Sequence, residues 1–229
     1  MRKVTINVKF RIALYLLYLT FSIQAQSTLF TTNSTEFDEN RYKDIKGSPY
    51  ILDDFSPATI YDNDGNPLKG LMVNYNAYDY GVEAKKDNRI TIIDENSYPK
   101  VVITPKTKKK KDGPAEIVLV PSPQVNMKGS YVQELFYSED VQVYKRFRVI
   151  QSENKAEAPG QTIVMKRFAL KTEYLVSYNG VLKQVKSKID DVSKVIGFPK
   201  ELKSFGKKNK NKLKSDQDWI DLFNYYSTL

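Results

Sequence analysis

A 229-residue chain with no His and no Cys excludes imidazole and thiolate chemistry at the outset. Ser-His-Asp and Cys-His catalysis, His or Cys metal sites, covalent haem attachment and disulfides all fall away. The net charge of +9 is local: residues 26–182 carry 21 cations and 21 anions, whereas residues 183–214 carry 11 Lys against Asp190, Asp191 and Glu201.

The amino terminus has the pattern of an export signal. Arg2, Lys3, Lys9 and Arg11 precede an apolar run, Ile12 to Ile23, which is short for a membrane span. Ala25 offers a small residue for cleavage, so residues 1–25 are read as a signal peptide. With no second apolar run of spanning length, no transmembrane segment is expected after cleavage. Residues 26–48 are polar and are read as a poorly ordered lead-in.

The stretch from Tyr50 to Lys86 organises the body. Ala58 to Tyr61 favours a strand, and Asp62-Asn63-Asp64-Gly65-Asn66-Pro67 stacks strong turn formers behind it. Leu71, Val73 and Tyr75 alternate with Met72, Asn74 and Asn76, the period of a half-buried strand. Tyr80 to Ala84 and Arg89 to Asp94 continue the meander across a turn at Lys85 to Asn88. The spacing of Asp62, Asp64 and Asn66 matches the first three ligands of an EF-hand loop. Pro67 stands where that loop needs Gly and Val73 where it needs Glu, so the segment reads as a hairpin turn.

Further strands are expected at Lys100 to Thr104 and Glu116 to Val120, around a Lys-rich loop at residues 105–114. Tyr131 to Tyr137 and Val141 to Ile150 form the next hairpin, and Gln151 to Gln161 reads as a polar loop. Thr162 to Leu170 and Lys171 to Tyr178 close the β region before the Asn179-Gly180 turn.

The periodicity changes after Leu182. Ser187-Lys188-Ile189-Asp190 resembles a capping box, Ile189, Val192 and Ile196 have helical spacing, and Gly197 with Pro199 marks a stop. A second helix is expected from Pro199 to Phe205, ended by Gly206. Ser215 precedes a third, with Trp219, Leu222, Phe223 and Tyr226 on one stripe and acids in its first turn. The expected class is α+β, mainly β: an antiparallel meander, sandwich- or barrel-like, over residues 49–182. A Lys-rich tail of two or three short helices, residues 183–229, packs on it.

Gly47-Ser48-Pro49-Tyr50 with Asp53-Asp54-Phe55, the DNDGN turn, the strand LMVNYNAY and the ending KNKLKSDQDWIDLFNYYSTL together resemble a family of uncharacterised secreted proteins of Bacteroidetes-type bacteria. The resemblance covers most of the chain after the signal. It implies a periplasmic or envelope protein with a β-rich body and a helical tail, and it brings no catalytic residues with it.

The functional expectation is an exported protein of the periplasm or cell surface, without cofactor, acting as a binding module rather than an enzyme. Its candidate anion contacts are Lys200, Lys203, Lys207, Lys208, Lys210, Lys212 and Lys214. The expected partner is an anionic envelope surface, lipid or lipopolysaccharide, or an acidic protein. No motif that reads nucleic acid is present. The alternative is a carboxylate-dependent hydrolase of an envelope polysaccharide. Asp53-Asp54 is the only adjacent acid pair early in the body, and neighbours on a strand point to opposite faces.

Overall fold

Turn chemistry and period-two alternation produce a single sheet. A computed structural model describes residues 36–37, 40–86, 89–106, 116–123, 131–158 and 161–229. The signal-like segment, residues 26–35 of the lead-in and most of the Lys-rich loop at 105–114 lie outside these residues.

The first strands are β1 (Glu36–Phe37), β2 (Ile45–Lys46), β3 (Ser56–Tyr61), β4 (Pro67–Asn76), β5 (Gly81–Lys86) and β6 (Arg89–Ile92). There follow β7 (Lys100–Ile103), β8 (Ile117–Pro121), β9 (Tyr131–Tyr137), β10 (Val141–Ala158), β11 (Gln161–Tyr178) and β12 (Val181–Val185). The order across the sheet is β1-β6-β5-β4-β3-β7-β8-β9-β10-β11-β12, and β2 adds to β11 in parallel. Apart from β1, β2 and the return from β6 to β7, sequence neighbours are sheet neighbours, as short hairpin connections dictate. Strand makes up 49% of the structure and helix 18%, which makes the protein α+β and mainly β. The body is one open sheet rather than two stacked ones.

The sheet curls until strands far apart in its order touch. The Val149 amide on β10 donates to the carbonyl of Ala77, just beyond β4, at 2.9 Å. Tyr75 and Phe147 meet with ring centroids 6.3 Å apart. The space inside the curl holds the larger core, which includes Ile60, Val73, Tyr75, Val101, Phe147 and Phe168.

The other end of the same β10–β11 face is covered by helices α1 (Ile189–Ile196), α2 (Pro199–Asn209) and α3 (Asp216–Tyr226). Val141, Val143, Tyr174 and Val176 pack there against Leu202, Trp219, Leu222 and Phe223. Tyr174 and Trp219 stack 4.3 Å apart at 13°. A bulge between Val143 and Tyr144 puts two residues of β9 opposite one step of β10. Both Leu135 and Phe136 thereby reach the helices.

Three local readings are corrected. The expected loop at Gln151 to Gln161 is strand: β10 and β11 pair in unbroken register from Val141↔Tyr178 to Ala158↔Gln161. Ser152 to Lys155 are exposed on both faces of this two-stranded ribbon, so neither face needs an apolar pattern there. Ser187 does not cap α1; the N-cap is Lys188, whose side chain makes no capping bond. Gly206 does not end α2 but lies buried inside it. A Cβ at Gly206 would lie 2.2 Å from Ile189 Cδ1, so glycine lets α1 approach α2. The remaining signals operate as read: Gly197 closes α1 at φ 82°, Pro199 opens α2, and the Ser215 hydroxyl accepts from the Asp218 amide at 3.2 Å.

Residues 40–48, read as part of the loose lead-in, are docked on the sheet. Tyr42 packs edge-on against Phe168, with centroids 5.5 Å apart, and β2 hydrogen-bonds to β11. The β region also runs to Val185, three residues past the expected boundary at Leu182.

Trp219 is fully buried between the helices and the sheet. Trp219→Ala is expected to cost about 3–5 kcal/mol by opening a cavity at this joint. Urea unfolding followed by far-UV circular dichroism checks this; a cost under about 1 kcal/mol would mean that the helices collapse to fill the gap.

Candidate functional site

The basic tail acquires a shape from α2 and the loop after it. Positions 203, 207 and 210 are spaced as one helical face. After α2 the chain reverses at Lys210, in the left-handed region at φ 54°. Buried Asn211 pins the reversal: its side-chain amide donates to the Asp218 carbonyl at 2.6 Å, and its side-chain oxygen accepts from the Leu213 amide at 3.1 Å. Lys212 is thereby held across from α2. Lys203, Lys207, Lys210 and Lys212 line one cleft with Ile189, Asp190, Gly206 and Asn211.

Four of the seven candidate lysines are therefore brought together. Lys200, Lys208 and Lys214 are exposed outside this lining. Within the cleft, Lys203 pairs with Asp190 at 2.9 Å, and Lys207, Lys210 and Lys212 have no ion-pair partner among the described residues. All four side chains are exposed, and the ammonium groups of Lys207, Lys210 and Lys212 are hydrated and available. Such a cleft concentrates positive potential on a small anionic group such as a phosphate or carboxylate.

A second cleft lies on the other side of Asn211, lined by Phe205, Asn209, Asp218, Asp221, Asn224 and Tyr225. Most of its polar groups are already engaged. Asn209 donates to the Phe205 carbonyl, Asp218 accepts from the Lys214 amide, and Asp221 accepts from Gln217.

The carboxylates elsewhere are placed for structure. Asp53 and Asp54 are exposed beside β3. Asp62 Oδ1 accepts from the amides of Asp64 and Asn66, at 3.0 and 2.8 Å, and Oδ2 from the Asn66 side chain at 3.0 Å. The side-chain bond from Asn66, followed by its backbone amide, holds the Asp62 carboxyl below its ordinary range. Its oxygens are spent on the turn, with Gly65 at φ 78°. Among the described residues no three acids gather as a metal site.

One buried polar cluster had no sequence signal. Glu83 on β5 is wholly buried and ion-pairs with Arg41 from the docked lead-in. It also accepts from the Tyr50 hydroxyl at 2.8 Å and the Asn76 amide at 2.9 Å. Tyr42 donates to Asp79 alongside. Desolvation, and then the Glu83 charge, raise the Tyr50 phenol above its ordinary range. The carboxylate is saturated by partners, which assigns the cluster to holding residues 40–50 on the sheet. Alternation places Glu83 on a strand, but only the fold shows that its side faces inward.

No family model, curated protein or solved structure matches this chain.

Two measurements follow from these groups. Arg41→Met strands the Glu83 charge and is expected to cost about 3–5 kcal/mol, part of which returns when Glu83→Gln is added. Urea unfolding of the single and double variants checks this; equal losses in both would show that the ion pair is not what holds the lead-in. The second concerns alkaline pH. Burial, and then the Asp216 carboxylate, push the Tyr174 phenol up to about 12, and burial raises Tyr75 and Tyr131 too. The folded state therefore keeps phenolic protons that the unfolded chain releases near its ordinary value of 10.0. This stability is complete below about pH 10 and is lost as pH rises toward the folded values. The urea midpoint is expected to be lower at about pH 11 than at about pH 9, with a smaller drop in Tyr174→Phe.

Proposed function

We propose that the protein is a non-catalytic binding module of the cell envelope whose C-terminal helices present an anion-binding cleft. The observation that carries this reading is the convergence of Lys203, Lys207, Lys210 and Lys212 on one cleft around Gly206. Sequence alone supplies a basic run, and such runs commonly do no more than solvate a tail. Here the run is bent into a concave surface, and three of its ammonium groups are left without a counter-ion among the described residues. Residues 26–182 are neutral overall, so the net positive charge of the chain after residue 25 belongs to the tail.

Export rests on the basic and apolar pattern of residues 1–25 and on the resemblance to secreted Bacteroidetes-type proteins. In that setting the anion is a group on lipid, on lipopolysaccharide or on an acidic protein. The absence of His and Cys supports binding over chemistry.

Truncation is unsuited to testing this reading, because the helices cover Val141, Val143, Tyr174 and Val176 at one end of the β10–β11 face. The test is Lys203→Gln, Lys207→Gln, Lys210→Gln and Lys212→Gln combined, beside Lys200→Gln, Lys208→Gln and Lys214→Gln combined. Co-sedimentation with phosphatidylglycerol vesicles and with lipopolysaccharide is measured across a salt series. The cleft variant is expected to lose about tenfold in affinity at low salt, and the other variant much less. Equal losses would reduce the cleft to general tail charge, and no loss in the cleft variant would remove the reading.

A further inference from the structure

The ribbon formed by the outer halves of β10 and β11 carries a second basic surface. β9 pairs with β10 only as far as Lys145, and β12 pairs with β11 only from Tyr174 onward. Beyond these points the two long strands pair with each other and, at Lys166 and Arg167, with β2. From Ser152 to Lys155 and from Val164 to Arg167 every residue is exposed, so both faces meet water. Phe147, Val149 and Phe168 still line the core, and the ribbon leaves it from Ser152 and Arg167 outward.

The register fixes which residues share its outer face. Phe168 points into the curl and Leu175 away from it, so odd residues of β11 face outward. Their partners on β10 are the even residues. Arg146 and Glu173 form an ion pair on this face. The next step is Arg148 directly opposite Lys171. Two steps further Arg167 faces Ser152 on one side and Lys46 of β2 on the other. Arg148, Lys171, Arg167 and Lys46 are all exposed, and none has an ion-pair partner among the described residues.

Like charges directly opposite one another on a sheet destabilise it. This face holds two such pairs, Arg148 with Lys171 and Arg167 with Lys46, about 13 Å apart along β11. Exposed apolar side chains lie at the same end: Met165 on this face is 54% exposed and Val164 on the opposite face 47%. The outward residues from Arg146 to Asn154 and from Met165 to Glu173 include no aromatic ring. A sugar chain would be gripped by such rings. An open basic face beside exposed aliphatic side chains fits an anionic lipid surface, which meets cations with headgroups and admits a few apolar groups at the interface.

We propose that the outer face of the β10–β11 ribbon, with Lys46, is a peripheral contact for an anionic lipid surface, separate from the cleft in the tail. The helices cover the inward face of β10–β11 at Val141, Val143, Tyr174 and Val176, whereas the four cations lie on the outward face, with Lys171 and Arg167 about 10 and about 23 Å along β11 from Tyr174.

The test compares the full chain with Lys46→Gln, Arg148→Gln, Arg167→Gln and Lys171→Gln combined. Binding is measured to vesicles of phosphatidylcholine with and without phosphatidylglycerol. The variant is expected to lose at least about tenfold in affinity for the anionic vesicles and nothing for the zwitterionic ones. Its thermal midpoint should hold or rise, because two repulsive pairs are relieved; this separates lost contact from lost folding. Met165→Ser should weaken binding further, by less than the charges do. Unchanged anionic-vesicle affinity overturns the proposal, as does an equal loss on both vesicle types. So does retained binding to vesicles with lost binding to a soluble polyanion such as dextran sulfate, which would assign the face to a polysaccharide. The tail-cleft variant is run beside it: a loss in one variant alone tells which of the two surfaces is real.

Discussion

Along β10 and β11 a single apolar face must be covered by two different things. Phe147 and Val149 enter the curl of the sheet, while Val141 and Val143 go under the helices. Between them, on the same face, stands Lys145. Its ammonium meets both oxygens of Asp216, at 2.8 and 3.0 Å, at the first turn of α3. A carboxylate there is favoured by the helix dipole, and a cation at the seam between two cores needs a partner. The Tyr174 hydroxyl reaches the same carboxylate at 3.5 Å while its ring stacks on Trp219. This seam joins α3 to the sheet beside the apolar contacts of Trp219, Leu222 and Phe223.

A similar logic places the lead-in. A wholly buried carboxylate is costly unless it is paired and hydrogen-bonded, and Glu83 is satisfied by groups from residues 41, 50 and 76. The docked segment continues into β2, which brings Lys46 beside Arg167. The network that neutralises charge inside the body thus helps to assemble unneutralised charge outside it. Cations without ion-pair partners among the described residues collect on the outward face of the β10–β11 hairpin and in the tail cleft, while Asp62 is spent on a turn and Asp216 on the seam.

Much of the body is legible in the sequence because its signals are local. The DNDGN turn, the alternation through Leu71, Val73 and Tyr75, the N-cap at Ser215 and the Trp219 stripe each act within a few residues. The misread segments are those whose partners lie elsewhere. Gln151 to Gln161 reads as a loop because residues exposed on both faces, as Ser152 to Lys155 are, carry no apolar rhythm; the Pro-Gly pair between Ala158 and Gln161 is the available turn signal. Gly206 reads as a helix stop, since nothing local reveals that Ile189 presses on that position.

Composition by itself determined the chemistry available, the mainly β class with helices at the end, and the concentration of lysines after Leu182. These follow from residue type and short-range periodicity. The tertiary structure decided which lysines share a cleft, which face of the long hairpin carries Arg148, Lys171, Arg167 and Lys46, and why Arg41 and Glu83 meet across 42 residues. Those are matters of register and packing. A one-residue shift in strand pairing would turn Glu83, Arg148, Arg167, Lys171 and Lys46 to the other face, and no local pattern in the chain records it.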